Sequence, residues 1–295
     1  MERVKIDFRD QISSNKWKSF FLMAVIFIIL ILFGYVISFA FEPGFFFVIM
    51  IISIILSLSY IFITYYNSDK ISLASVGAKK AFGEKYRQYY NLVEGLTIAS
   101  GIQMPKLYVM DSEQINAFAS GRDPQHAVIC VTTGALEKLD KRELEGVLAH
   151  ELSHIGNYDV RYITLVTVMV GIIAITSELF LRSLWFGGGR DKEGKGNAIF
   201  FLIGIVLAIL APIVVQLVQM AISRRREYTA DATAVKFTRY PNGLINALKK
   251  IKFDSVHQEK KISKAVAPMF FANPLKELTS THPPLDERIK ILERM

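Results

Sequence analysis

"KRELEGVLAHELSHIG", residues 141–156, decides how this chain is read. Leu144, Val147, Leu148, Leu152 and Ile155 recur at steps of three and four, the period of a helix with one apolar face. On such a helix His150 and His154 lie about one turn apart, so both project from the same side. The pattern is H-E-x-x-H: two imidazoles that can share one metal ion, with Glu151 beside them as a base. Two histidines leave a catalytic zinc site incomplete, because such a site takes three protein ligands and keeps a position open for water. The third ligand has to come from elsewhere in the chain.

The candidate for that ligand is in "RRREYTADA", residues 224–232, which directly follows a long apolar run. Three arginines there mark a membrane boundary, but they do not account for Glu227 and Asp231 one helical turn apart. A helix at 224–232 lying antiparallel to the first would let Glu227 complete a His₂Glu set. Asp231, on the same face, would accept the free ring N–H of a ligand histidine and fix its tautomer. The alternative is a solvated acidic face, or Glu227 paired with a nearby arginine. Glu143, Glu145 and Asp159 are the other carboxylates close to the motif.

Composition widens the frame. The chain has 295 residues, 52% of them hydrophobic, and a mean hydropathy of +0.32, too apolar for an ordinary soluble protein. Apolar runs at 20–41, 45–64, 163–181 and 198–222 each approach or exceed the roughly 20 residues that span a bilayer, so four spans are expected. "SFA" at 38–40 resembles a signal-peptide cleavage site, but the run before it is long for a signal and a second span follows, so an uncleaved anchor is favoured. Lys and Arg concentrate in 1–18, in 65–157 and from Arg224 onward, while the turn at 41–44 has none; the positive-inside rule then places these three segments in the cytoplasm. The basic connection "RSLWFGGGRDKEGKG" fits this less well and leaves open that the third and fourth runs dip into the bilayer without crossing it. A net charge of +8 follows from topology and attraction to an anionic leaflet, and with acids interleaved and no nucleic-acid motif, no nucleic-acid partner is expected. Cys130, the single cysteine, excludes an internal disulfide and reads as a small core residue on a strand.

Between the second and third spans, residues 78–101 read as a helix ending at Gly101. "KLYVMD", "INAFAS" and "HAVICVTT" follow as strands of a small antiparallel sheet with a hairpin at "GRDPQ". After the fourth span come helices at 227–238 and 243–253, a charged stretch at 254–264 and a last short helix after the proline pair in "THPPLDERIKILERM". The expected fold class is α+β: a multi-pass helical membrane protein with a mostly helical zincin-type protease domain and a small antiparallel sheet. Its parts are a tail and two membrane helices at 1–64, the sheet and H-E-x-x-H helix at 65–159, a second membrane pair at 160–222 and the remaining helices at 223–295. The two soluble blocks are each too small to bury a core alone, so they are expected to pack together. In "INAFAS", Asn116, Phe118 and Ser120 face one side and Ile115, Ala117 and Ala119 the other. As a sheet edge beside the metal helix, the backbone of Asn116, Ala117, Phe118 and Ala119 could pair with an extended peptide; an interior strand paired on both sides is the alternative.

"HELSHIGNYDVR", "SRRREYTADATAV" and "STHPPLDERI" together resemble the HtpX family, membrane-bound zinc metallopeptidases of bacterial protein quality control related to the CAAX prenyl endopeptidases. The resemblance covers most of the chain, and Ser120 departs mildly from the threonine often seen in the strand motif. It implies one zinc ion per chain on His150, His154 and Glu227, Glu151 as general base, and an active site facing the cytoplasm from the inner membrane. Misfolded membrane proteins or unfolded polypeptides are the implied substrates. It also permits His282 to donate a hydrogen bond to the oxyanion, against the reading of a turn histidine. A processing protease for prenylated C-termini and a scaffold with a structural zinc are the rival functions. Among the remaining candidates, Arg288 could pair with a carboxylate near the site but reads first as a solvated helix arginine, Glu178 reads as an ion-pair partner of Arg182, and His126 and His257 as surface residues, while Asp159 is undecided.

Overall fold

The computed structural model describes residues 8–38, 43–166, 224–256, 270–271 and 283–295. Helix α1 (Phe8–Ser38) comes first, and a single 3-10 turn (Pro43–Phe45) leads directly into helix α2 (Phe46–Tyr66). Both contain stretches long and apolar enough to cross a membrane, Ile12–Leu32 and Phe46–Tyr66. α2 exposes Phe47, Ile51, Ile55, Leu56 and Phe62, the outward apolar surface that suits lipid and not water. Of the third and fourth apolar runs only residues 163–166 fall among those described; they are helical and buried.

A short helix α3 (Ser68–Ser75) leads to strand β1 (Lys79–Lys80), helix α4 (Arg87–Ser100), strands β2 (Lys106–Met110), β3 (Ala117–Gly121) and β4 (Ala127–Thr132), and helices α5 (Thr133–Lys138) and α6 (Lys141–Gly156). α4 starts later than the apolar pattern suggests. Gly83, at φ 97, holds a conformation that would end any helix, and the residues before it pair as β1. After residue 223 come α7 (Arg224–Thr238), α8 (Pro241–Val256) and α9 (Leu285–Leu292).

The sheet is mixed and not antiparallel as expected. Its order is β1-β2-β4-β3, with β2 and β4 parallel and the other two pairs antiparallel. The expected β3–β4 hairpin is present, with Phe118 opposite Cys130, but β4 folds back between β3 and β2 and so meets β2 running the same way. β3 is left at one edge of the sheet. Its Ala117 and Ala119 face the main core with α6, while Phe118 packs with Cys130, Val128 and Phe270 on the other side.

The core is built around α6. Its N-terminus is closed by a capping box, in which Asp140 accepts from the Glu143 N–H and the Glu143 carboxylate accepts from the Asp140 N–H. Glu143 also receives Lys250 at 2.6 Å, so this carboxylate is engaged away from the histidines. α4, α7, α8 and β3 pack on the faces of α6, and Leu144, Val147, Leu148, Leu152 and Ile155 are all buried. α6 and the start of α8 meet backbone to backbone: a Cβ on Gly146 would lie 2.7 Å from the Leu244 nitrogen, and one on Gly243 would lie 2.4 Å from the Arg142 carbonyl oxygen.

Candidate metal centre

His150 and His154 emerge from the buried side of α6, and Glu227 emerges from α7 packed against it. One donor atom from each lies within 4.8 Å of the others. The two Nε2 atoms are 3.1 Å apart, and the Glu227 carboxylate oxygens stand 3.6 Å from each. Zinc–nitrogen bonds of about 2.0–2.1 Å in a tetrahedral site separate two nitrogens by roughly 3.3 Å, so the imidazoles are already spread as such a centre needs.

The outer nitrogens are held by carboxylates. His150 Nδ1 lies 2.9 Å from Asp231 Oδ1, and His154 Nδ1 lies 3.3 Å from Asp159 Oδ2. Each Nδ1–H is thereby committed to an acid, which turns both Nε2 atoms toward Glu227. Burial works against charge on His154, but the hydrogen bond to Asp159 and the carboxylates of Glu227, Asp159 and Glu151 lift its pKa to about 9. A pocket that favours positive charge at this point against its own desolvation fits a divalent cation between these donors.

Arg288 of α9 has no exposed surface. Its Nε and Nη2 donate to the two oxygens of Asp231 at 2.9 and 2.7 Å, its Nη1 stands 3.6 Å from Glu227, and its guanidinium covers the Phe271 ring at 4.6 Å. Burial opposes ionisation of Asp231, yet Arg288 and His150 outweigh it and hold the carboxyl below its usual range. The expectation of a solvated arginine is corrected here. Leu285, Ile289 and Leu292 at helical spacing place Arg288 on the inward face of α9, a signal present in the sequence. Asp159, undecided from sequence, is fully buried and is met on its other oxygen by Asn15 Nδ2 of α1 at 2.7 Å and Arg226 Nε at 3.4 Å. Asn15 carried no signal as a site residue.

Glu151 faces β3, where the Ala119 backbone N–H donates to it; burial raises its pKa, with the histidines pulling the other way. The outer edge of β3 also accepts backbone pairing at Ala117, whose carbonyl takes the Phe271 N–H at 2.8 Å. The Phe271 ring meets His150 edge to face at 4.7 Å, and its carbonyl accepts from Arg288 Nη1 at 3.4 Å. Asn116 is buried, and its Oδ1 accepts from the Ala117 N–H at 3.0 Å. His282, Glu178, Arg182 and His257 lie outside the described residues. His126 is a half-exposed partner of Asp123, as a surface residue should be.

The family model described as peptidase family M48 matches residues 84–295. A protease HtpX homolog of Caldanaerobacter subterraneus subsp. tengcongensis is 47% identical over 243 residues, 80% of this chain and 81% of that protein. A protease HtpX homolog of Dictyoglomus thermophilum is 43% identical over 292 residues, 98% of this chain and 95% of its own length. The crystal structure of S. mikatae Ste24p is similar at a TM-score of 0.48 and 20% identity, covering 96% of this chain and 66% of that one, too slight a likeness to carry an argument.

Proposed function

The chain belongs to peptidase family M48, and from that membership we propose that it is a zinc endopeptidase of the bacterial plasma membrane, cutting misfolded or damaged membrane proteins on the cytoplasmic side. The observation that carries the reading is the convergence of His150, His154 and Glu227, with each histidine's outer nitrogen on its own carboxylate. The three described donors are the number that a catalytic zinc takes from the protein.

When bound, zinc polarises the scissile carbonyl and acidifies a water. The protein does the rest. Glu151, buried and with a raised pKa, takes the water's proton and passes it to the leaving amine. A substrate strand lies along the outer edge of β3, where the backbone of Ala117 and Ala119 supplies main-chain pairing and little sequence preference, while the Asn116 N–H and carbonyl are both engaged by Thr132 and Phe118 turns its backbone to β4. Phe271 already uses the Ala117 carbonyl in this way. Arg288 keeps Asp231 ionised and His150 oriented. His282, three residues ahead of the helix that carries Arg288, donates to the oxyanion.

The cytoplasmic side is supported by where the two membrane helices meet the domain. Asn15 near the start of α1 bonds Asp159, and the last residue of α2, Tyr66, accepts from Arg122 through its carbonyl at 3.1 Å. Both ends therefore lie on the protease side, and that side holds the basic residues that the positive-inside rule keeps in the cytoplasm. Zinc analysis with a casein cleavage assay in detergent, with and without chelator, tests the proposal. Zinc near one equivalent per chain and chelator-sensitive cleavage are expected. Cleavage indifferent to chelator, or a purified protein that binds no zinc, would overturn it.

A further inference from the structure

Four residues of α1, Asn15, Ser19, Leu22 and Ile26, are each no more than 1% exposed and repeat at steps of four, three and four, so they form one face of the helix. The apolar end of that face packs on Tyr162, Leu165 and Val166. The polar end reaches the metal centre. Asn15 Nδ2 donates to Asp159 Oδ1 at 2.7 Å and to the carbonyl of Asn157, the C-cap of α6, at 3.0 Å.

An amide in a stretch apolar enough to cross a membrane is costly unless it is hydrogen-bonded. Here both N–H groups go to the segment that follows the second metal ligand. Asp159 has two oxygens: Asn15 and Arg226 hold Oδ1, which leaves Oδ2 facing His154 Nδ1. Arg226 stands at 3.4 Å, longer than the amide, so Asn15 makes the shorter contact. As a neutral donor it also orients the carboxylate without cancelling the charge that His154 N–H needs.

We propose that Asn15 is a positioning residue for the metal ligand His154, acting through Asp159, so that the first membrane helix is a working part of the metal centre as well as an anchor. This rests on His154 being a ligand, as proposed above. Carboxylates that orient metal-bound histidines typically contribute 10–100-fold to metal affinity, and Asn15 stands one bond further out, so its effect should be smaller, about 3–10-fold.

The experiment uses the full chain in detergent, with Zn²⁺ affinity read by competition with a chromophoric chelator and the visible absorption of the Co²⁺-loaded protein as the second readout. Asn15→Leu keeps the number and branching of side-chain heavy atoms and removes both donors; Ile26→Ala loosens the same helix face three turns away. Asn15→Leu should weaken Zn²⁺ binding about 3–10-fold and alter the Co²⁺ spectrum, while Ile26→Ala lowers the unfolding temperature and leaves both readouts near the parent. In an Asp159→Asn background, Asn15→Leu should have no further effect on affinity. Should Asn15→Leu fail to fold, Asn15→Ala is judged by the same criteria. Parent-like affinity and spectrum in the Asn15 variants, equal losses in Asn15→Leu and Ile26→Ala, or additive losses with Asp159→Asn would overturn the inference. His154→Ala separates the two claims: if it binds Zn²⁺ normally the ligand assignment has failed, and if it alone loses Zn²⁺ only the role of Asn15 has.

Discussion

His150 and His154 stand four residues apart on one helix, yet different ends of the chain hold them. His150 leans on Asp231, which a fully buried arginine from the C-terminal helix grips through two short bonds. His154 leans on Asp159, held by a neutral amide from the N-terminal helix at 2.7 Å, at the point where that helix enters the membrane stretch, and by Arg226 at 3.4 Å. The first support is charged, bidentate and internal to the protease domain. The second is made between that domain and α1. H-E-x-x-H is therefore local, while its geometry depends on contacts that span almost the whole sequence.

The largest expected effect sharpens this contrast by leaving both supports in place. Glu151→Gln should lower peptide turnover about 10²–10⁴-fold, the range of a general base, with Zn²⁺ affinity near the parent. Single-turnover cleavage beside metal analysis checks it, and a variant that turns over normally removes Glu151 from the chemistry. Arg288→Met breaks the charged support and should destabilise the fold by about 3–5 kcal/mol, because Asp231 is left as a buried, uncompensated charge. Denaturant unfolding in detergent measures this. Glu227→Ala removes a ligand and not a support, so its loss of Zn²⁺ affinity should exceed that of either outer carboxylate, as chelator competition would show.

Asp231→Asn and Asp159→Asn compare the supports directly. Each should weaken Zn²⁺ binding within about 10–100-fold, and the Asp231 variant more, since its contact to histidine is 2.9 Å against 3.3 Å. Equal or reversed losses would break the comparison. The smallest effect concerns β3. Proline at Ala119 removes the N–H given to Glu151, and proline at Ala117 the N–H given to Asn116. One hydrogen bond is worth about 0.5–1.5 kcal/mol, so each should slow peptide cleavage roughly 2- to 12-fold without loss of Zn²⁺. Parent rates in both would rule out this edge as the substrate platform.

What was legible in the sequence was local. α6 matches its apolar pattern at both ends because spacing, capping box and chemistry all point to one helix. The Glu227–Asp231 pair could be read from one turn of helix. Strand direction could not, since the pairing of β2 with β4 depends on where β3 goes, and β1 is two exposed lysines with no pattern of their own. Arg288 was misread because charge was weighed above its place on an apolar face. Asp159 and Asn15 meet across 144 positions, and no periodicity records a contact of that range.

The backbone contact between α6 and α8 limits how this enzyme can vary. Gly146 lies one turn before His150, and its missing side chain is what lets Leu244 come so close. Even a methyl group at Gly146 or Gly243 would force the two helices apart, and α6 would carry that displacement straight to its histidines. Neither position is open to drift or to a designer's library.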